Sequence, residues 1–332
     1  MNLALPGVKR RKRRARNVLP GGFNRTRFAG LPNGSSTAKS ARMKSPKLFA
    51  LLYFAFAAAL LSGCTTAKTA GTGASFKGPI GLQLYSLRGD FSKDVPGTMK
   101  KVREFGFKYV ELAGTYNLTA EQMLALLKSN DLKAVSGHFS YDMYRTNAAG
   151  VAKQAKALGL QYAGTAWIPH KDAFDEKEAR DAAAVFNNAG QILAEHGIKF
   201  FYHTHGYEFQ PHGNGTLFDL MMAETNPKYV RYQMDTFWIV HPNQDPVALL
   251  NKYGARFELM HVKDMKHGTE RNLSGKSNVN NDVQVGTGVM NWPGILEAAQ
   301  RVGVKWYFIE DESDDVKEHL PGSLKFLENV KF

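Results

Sequence analysis

FFYHTHGYEF, residues Phe200 to Phe209, decides how the rest of the chain is read. It begins as a buried strand, with Phe200, Phe201 and Tyr202 in a row, and ends in His203, His205 and Glu208. All three of these can bind a metal or move a proton. His203 and His205 are two apart, so on a strand they share one face. Glu208 follows Gly206, where the strand should give way to a loop. An apolar run that closes on clustered ionisable groups reads as a strand delivering a site at its C-terminal end. Taken alone, the stretch fits a pair of core histidines and a surface glutamate equally well. The same pattern recurs downstream: Asp235 follows Val230 to Met234, His261 lies in Phe257 to Val262, and Glu310 follows Trp306 to Ile309.

Upstream of that stretch, strands are expected at Ile80–Leu87, Tyr109–Leu112 (ending near Glu111), Leu132–Ser136 (delivering His138) and Leu160–Trp167. Helical spacing fills the gaps at Val95–Phe105, Thr119–Ser129, Asn147–Leu158 and Asp175–His196. Downstream, helices are expected at Thr216–Thr225, Pro246–Tyr253, Trp292–Val302 and Pro321–Asn329, with a long polar loop from Lys266 to Val285. Thr119 with Gln122 three residues on has the form of a capping box. Eight strands alternating strictly with helices imply a parallel sheet with right-handed crossovers. Eight such units in about 250 residues predict an α/β fold of the (β/α)8 TIM barrel type. A doubly wound sheet would show a glycine-rich phosphate turn after its first strand. None follows Leu87, and Gly286-Thr287-Gly288 is a lone GxG in a late loop.

The composition misleads until it is split. The chain of 332 residues carries a formal charge of +13. Met1 to Cys64 holds 13 of its 43 Lys and Arg and none of its 30 Asp and Glu, so the remainder has 30 of each sign. Nucleic acid is therefore excluded as a partner of the folded part. Residues 1–42, basic and rich in Gly, Ser and Asn, read as a disordered extension, with Met43 as the expected true start. Lys44 and Lys47 then precede an apolar run from Leu48 to Leu61, too short to span a bilayer comfortably. Leu61-Ser62-Gly63-Cys64 resembles the lipobox of bacterial lipoproteins, and Cys64 is the chain's only cysteine. The resemblance implies a signal peptide over 43–63, lipid on Cys64, a tether over 64–77 and one barrel over 78–332. It also implies export and a membrane anchor, with the outer membrane or periplasm favoured by Thr65 after the cysteine.

On one rim of such a barrel, Glu208, Asp235, His261 and Glu310 become neighbours. Three carboxylates and an imidazole suit one divalent ion, Mn²⁺, Co²⁺ or Mg²⁺, and Zn²⁺ less obviously. Each residue also has a plainer reading: Asp235 as a helix cap, His261 as a core histidine, Glu310 as the start of an acidic surface run.

IGLQLYSLR, FFYHTHGYEF, MDTFWIVHPNQDP, HVKDMK, VGTGVMNW and FIEDE together resemble the xylose isomerase-like barrel superfamily, the sugar isomerase and epimerase group. The resemblance implies a metal held by Glu208, Asp235, His261 and Glu310, with Glu208 and Glu310 as the acid/base pair. The implied chemistry is proton transfer beside a carbonyl through an enediolate. The metal stabilises its charge, and positioned acid/base groups supply about 10²- to 10⁴-fold. His138, His205 and Lys263 are expected to line the substrate pocket, His203 to orient a ligand, and Trp167, Trp238 and Trp292 to offer faces to a sugar. Glu111 is a weaker candidate, and His241, His267 and His319 read as surface. The superfamily's abasic-site endonucleases need extra histidines, and Trp238 stands where one would be. No clamp of basic residues for a phosphate stands out, so a free sugar or glycoside is the expected substrate. A metal-dependent 3-keto-glycoside lyase or hydrolase is the alternative enzyme, and a lipid-anchored sugar-binding protein the alternative without catalysis. A homo-oligomer is compatible with all of these.

Overall fold

The computed structural model describes residues 70–332. The basic extension, the leader, Cys64 and the tether up to residue 69 lie outside the described residues. Eight strands form a closed parallel barrel in chain order: β1 (Ile80–Gln83), β2 (Tyr109–Leu112), β3 (Lys133–His138), β4 (Tyr162–Thr165), β5 (Lys199–His203), β6 (Val230–Asp235), β7 (Phe257–Val262) and β8 (Trp306–Ile309). Closure is made by β8 on β1, with Gly81 opposite Phe308. Each strand is followed by a helix on the outside: α1 (Val95–Glu104), α2 (Ala120–Ser129), α3 (Tyr141–Ala157), α4 (Glu176–Glu195), α5 (Leu217–Glu224), α6 (Pro246–Tyr253), α7 (Trp292–Val302) and α8 (Val316–Asn329).

The helix starts follow their caps. Thr119 with Gln122, Asp175 with Glu178 and Thr216 with Asp219 form reciprocal capping boxes at α2, α4 and α5, each worth about 1 kcal/mol. Three boundaries differ most from the sequence expectation. β1 ends at Gln83, because the Gln83 side chain accepts the Tyr85 N–H and turns the chain into a 3-10 helix at Leu84–Leu87. α3 begins at Tyr141 under a Ser140 cap, and Asn147 (φ −154°, ψ 54°) breaks it, so the expected start at Asn147 is a kink. α8 begins at Val316 with Pro321 inside it. The proline costs one backbone hydrogen bond, the one to the Lys317 carbonyl.

The apolar side chains sort into two bodies. The larger lies between strands and helices and includes Phe186, Phe200, Tyr202, Tyr232 and Trp292. The smaller fills the barrel itself with Val135, Tyr162, Phe201, Leu259 and Phe308. Period-two alternation explains the division: Phe200 and Tyr202 face outward, while Phe201 and His203 face in. One irregularity re-aims a charge. Phe257 pairs with Tyr232 but Leu259 pairs with Gln233, leaving Glu258 as an extra residue on β7. Its carboxylate accepts from Tyr162 Oη at 2.7 Å, Lys199 Nζ at 2.6 Å and Arg231 Nε at 2.7 Å. This cluster closes the mouth at the strand starts. Packing against the barrel begins before Gly78: Phe76 is buried and meets the edge of the Tyr307 ring, 4.9 Å between centroids.

Candidate metal centre

The ends of β6, β7 and β8 bring Asp235, His261 and Glu310 together. Asp235 closes β6, and its Oδ1 accepts the Trp238 N–H at 3.0 Å, capping the short helix Thr236–Val240. The capping role therefore holds for one oxygen, and Oδ2 is buried with no hydrogen-bond partner. His261 Nδ1 lies 3.5 Å from that Oδ2 and 3.0 Å from Glu310 Oε2. One donor atom from each of the three residues sits within 4.8 Å of the others, which makes the group able to hold a metal ion.

Glu208 is not part of this group. Gly206 adopts φ +93°, a left-handed conformation that suits glycine, and the chain enters a 3-10 turn at Tyr207–Phe209. Glu208 Oε1 accepts the His205 N–H at 2.8 Å, while Oε2 is buried without a partner. Burial pushes the Glu208 carboxyl up to about 7. The residue that β5 presents to the cluster is His203. Its Nε2 is 3.9 Å from Asp235 Oδ2, and its ring centroid is 4.6 Å from that of His261. His138, His203 and His261 form a second group with the same close spacing of donor atoms.

Below the cluster lies Glu111, fully buried on β2. It accepts from Gln83 Nε2 at 2.6 Å, Ser136 Oγ at 2.5 Å, Gln233 Nε2 at 2.9 Å and His261 Nε2 at 2.6 Å. Burial opposes its charge, but His138 and His261 outweigh burial and hold the carboxyl well below the usual range. Burial likewise opposes a charge on His261, and Glu310 and Glu111 override it, raising the imidazole well above its ordinary value. Glu310 is held well below the carboxylate range because Lys263 and His261 outweigh its burial. Asp235 goes the other way, pushed up by burial. His203 stays neutral: burial and the neighbouring His261 and His138 keep it well below its ordinary value. Sequence reasoning gave Glu111 a small role and missed Gln83, Ser136 and Gln233. Their signal was inward alternation one layer beneath the expected ligands.

A cavity of about 410 Å³ opens over the cluster at the strand ends, lined by His138, Trp167, His203, His205, Trp238 and Glu310 among others. His205 stacks on Trp238 (4.5 Å between centroids, 21°) and meets the edge of Trp167 (5.1 Å, 89°). Its Nδ1 is buried without a partner, and burial, then Lys263, push its pKa down to about 3. Lys263 lies outside the lining. Its Nζ sits 2.6 Å from Glu312 and 3.4 Å from both Glu310 and Asp282, which against the cost of burial keep it charged.

Trp292 is also outside the cavity. It is buried in the outer shell, and its Nε1–H donates to Asp264 at 2.8 Å. The same carboxylate accepts the Gly286 and Gly288 N–H groups, and a Cβ on Gly288 has no room against it. The GxG therefore anchors the loop before α7. That loop brings Gly275 and Lys276 to the cavity. His241, expected at the surface, is buried, with Nδ1 3.1 Å from the Asn272 carbonyl.

Comparison with known proteins agrees with this architecture. The family described as xylose isomerase-like TIM barrel matches residues 99–330. An inosose dehydratase from Lactiplantibacillus plantarum is 29% identical over 183 residues, 54% of this chain. The chain spans 59% of that relative's length. Among solved structures, a sugar phosphate isomerase/epimerase from Parabacteroides distasonis superposes with a TM-score of 0.65 at 23% identity, covering 81% of this chain and 98% of that one. The IolI protein, solved with a bound zinc atom, superposes with a TM-score of 0.57 at 13% identity, covering 75% of this chain and 94% of that one.

Proposed function

Because the chain belongs to the xylose isomerase-like TIM barrel family, we propose that it moves a proton at the carbon beside a carbonyl of a non-phosphorylated sugar or cyclitol, using a divalent ion held by Asp235, His261 and Glu310. The observation that carries this reading is the orphaned Asp235 Oδ2, buried beside His261 Nδ1 and Glu310 Oε2 beneath the cavity. A buried carboxylate oxygen without a donor costs about 1–3 kcal/mol, and a cation satisfies it. Mixed oxygen and nitrogen donors suit Mn²⁺, Co²⁺ or Zn²⁺, and Mg²⁺ less. The bound ion would supply Lewis-acid polarisation of the carbonyl oxygen.

The chain's own groups do the rest. Glu310 reaches the cavity ionised, steadied by His261 and Lys263, and is placed to accept a proton. His138 and His205 are further proton-carrying groups of the wall. Trp167 and Trp238 form the aromatic part of the wall on either side of His205. Lys276, exposed, is the only Lys or Arg lining the cavity among the described residues, which supports an unphosphorylated substrate.

Isomerisation or epimerisation returns the proton to carbon. A lyase outcome shares the same first step and expels a β-oxygen instead, and the similarity to inosose dehydratases favours it as the second reading. The test is deuterium incorporation. In D₂O with Mn²⁺ or Co²⁺, keto-inositols and 3-keto-glucosides should exchange the hydrogen beside the carbonyl, and the product distinguishes epimer from alkene. Binding of these compounds without exchange would leave a sugar-binding protein. Lipid attachment at Cys64 and export to the cell envelope belong to the same proposal, and Cys64→Ala should move the protein from the membrane fraction to the soluble one.

A further inference from the structure

We infer that the donor supplied by β5 to the metal is His203 Nε2 and not the Glu208 carboxylate. This rests on the metal reading above and sharpens it. Glu111, as a carboxylate, only accepts hydrogen bonds. Both its oxygens face Gln233 Nε2, at 3.1 and 2.9 Å, so that atom is the amide NH₂. Gln233 Oε1 is then the acceptor left for its other two neighbours, His138 Nε2 and His203 Nδ1, each 3.1 Å away. Both ring nitrogens must carry hydrogen. With hydrogen fixed on Nδ1, the lone pair that a metal needs can only come from His203 Nε2, the atom that faces Asp235 Oδ2 at 3.9 Å.

The same device fixes His261. Its Nε2 is held by Glu111 at 2.6 Å, which aims Nδ1 at Asp235 and Glu310. Metal-bound histidines ordinarily donate their second nitrogen to such a partner, which sets the tautomer. His138 commits Nε2 to the lower layer, against Glu111 and Gln233. Glu208 ties one oxygen to the His205 N–H and is absent from the cavity wall. With His203 the donor set is two carboxylates and two imidazoles, a formal charge matched to a divalent ion. That set favours Co²⁺ and Zn²⁺ over Mg²⁺.

The test is Co²⁺ titration of the metal-stripped protein, read by visible absorbance, with folding checked by thermal unfolding. Asp235→Ala should abolish binding. His203→Ala should weaken it by at least about tenfold. Glu208→Gln should shift it by less than about threefold, since it leaves every donor to the metal in place. A Glu208→Gln loss with His203→Ala unchanged would overturn the assignment and leave the metal site standing. Undiminished binding by Asp235→Ala would overturn the site itself. A second readout needs no variant. Proton NMR of the Co²⁺-loaded wild type should show two exchangeable, hyperfine-shifted ring N–H signals, from His203 and His261. A single such signal would contradict the assignment.

Discussion

The two mouths of the barrel carry similar residue types and are finished differently. At the strand starts, Glu258 has both oxygens engaged by Tyr162, Lys199 and Arg231. At the strand ends, Asp235 Oδ2, Glu208 Oε2 and His205 Nδ1 are buried with no partner. Buried polar atoms in folded proteins are nearly always satisfied, so each exception asks for a cause. The lower cluster is complete in the protein alone. In the function proposed above, a cation at Asp235 and a substrate beside His205 would complete the upper one, and Glu208 lies outside both. Interactions at the strand starts should therefore set stability, and those at the strand ends should set activity at little gain in stability.

The largest expected break in this contrast is Glu310→Gln. It should lower turnover by about 10²- to 10⁴-fold while leaving the thermal midpoint within a few degrees of wild type, as steady-state kinetics and calorimetry would show. Wild-type turnover would remove Glu310 from the chemistry. Next is Glu258→Ala, which strands Lys199 and Arg231. It should cost about 2 kcal/mol in urea unfolding with kcat unchanged. A matching fall in kcat would mean that the two mouths are coupled.

The pH dependence of stability should have opposite signs at the two mouths. Glu258 is held below its ordinary value, with Lys199, Tyr162 and Arg231 outweighing burial. Its contribution is fully present above the unfolded carboxylate value of about 4.3 and is lost as pH falls through the folded value. Glu208, pushed up to about 7 by burial, keeps its proton in the folded state where the unfolded chain has lost it. Stability should therefore decline as pH rises from about 4.3 to 7 and then level. Urea unfolding of the metal-free protein from well below the unfolded carboxylate value of about 4.3 to above about 7, with Glu258→Gln and Glu208→Gln, reads each limb separately. The acid limb should flatten in the first variant and the neutral limb in the second. The smallest effect is Tyr162→Phe, which removes one donor to Glu258 and should cost about 1 kcal/mol without touching activity.

The contrast also shows what a sequence displays. The eight strands were legible because each apolar run is short, bounded and answered by a helical period. β7, β8, α6 and α7 coincide with their expected limits. Asp235, His261 and Glu310 were legible as strand ends, since a strand end fixes position to within a residue. Glu208 was not, because Gly206 at φ +93° turns the chain between strand and glutamate, and past such a turn period two no longer predicts direction. Glu258 was hidden for a similar reason, as the bulge shifts which face it takes. The Glu111–Gln233 layer joins residues 122 positions apart. Such pairing belongs to barrel closure and leaves no local mark. Trp292 looked like a rim aromatic because its loop was, yet its indole N–H is used by Asp264 in the outer shell.

The most direct measurement is the metal content of the protein purified without chelator, beside Asp235→Ala prepared identically, by elemental analysis after dialysis. About one divalent ion per wild-type chain and little in the variant is the result this account predicts. Equal content in the two, or none in the wild type even after loading with Mn²⁺ or Co²⁺, would contradict it.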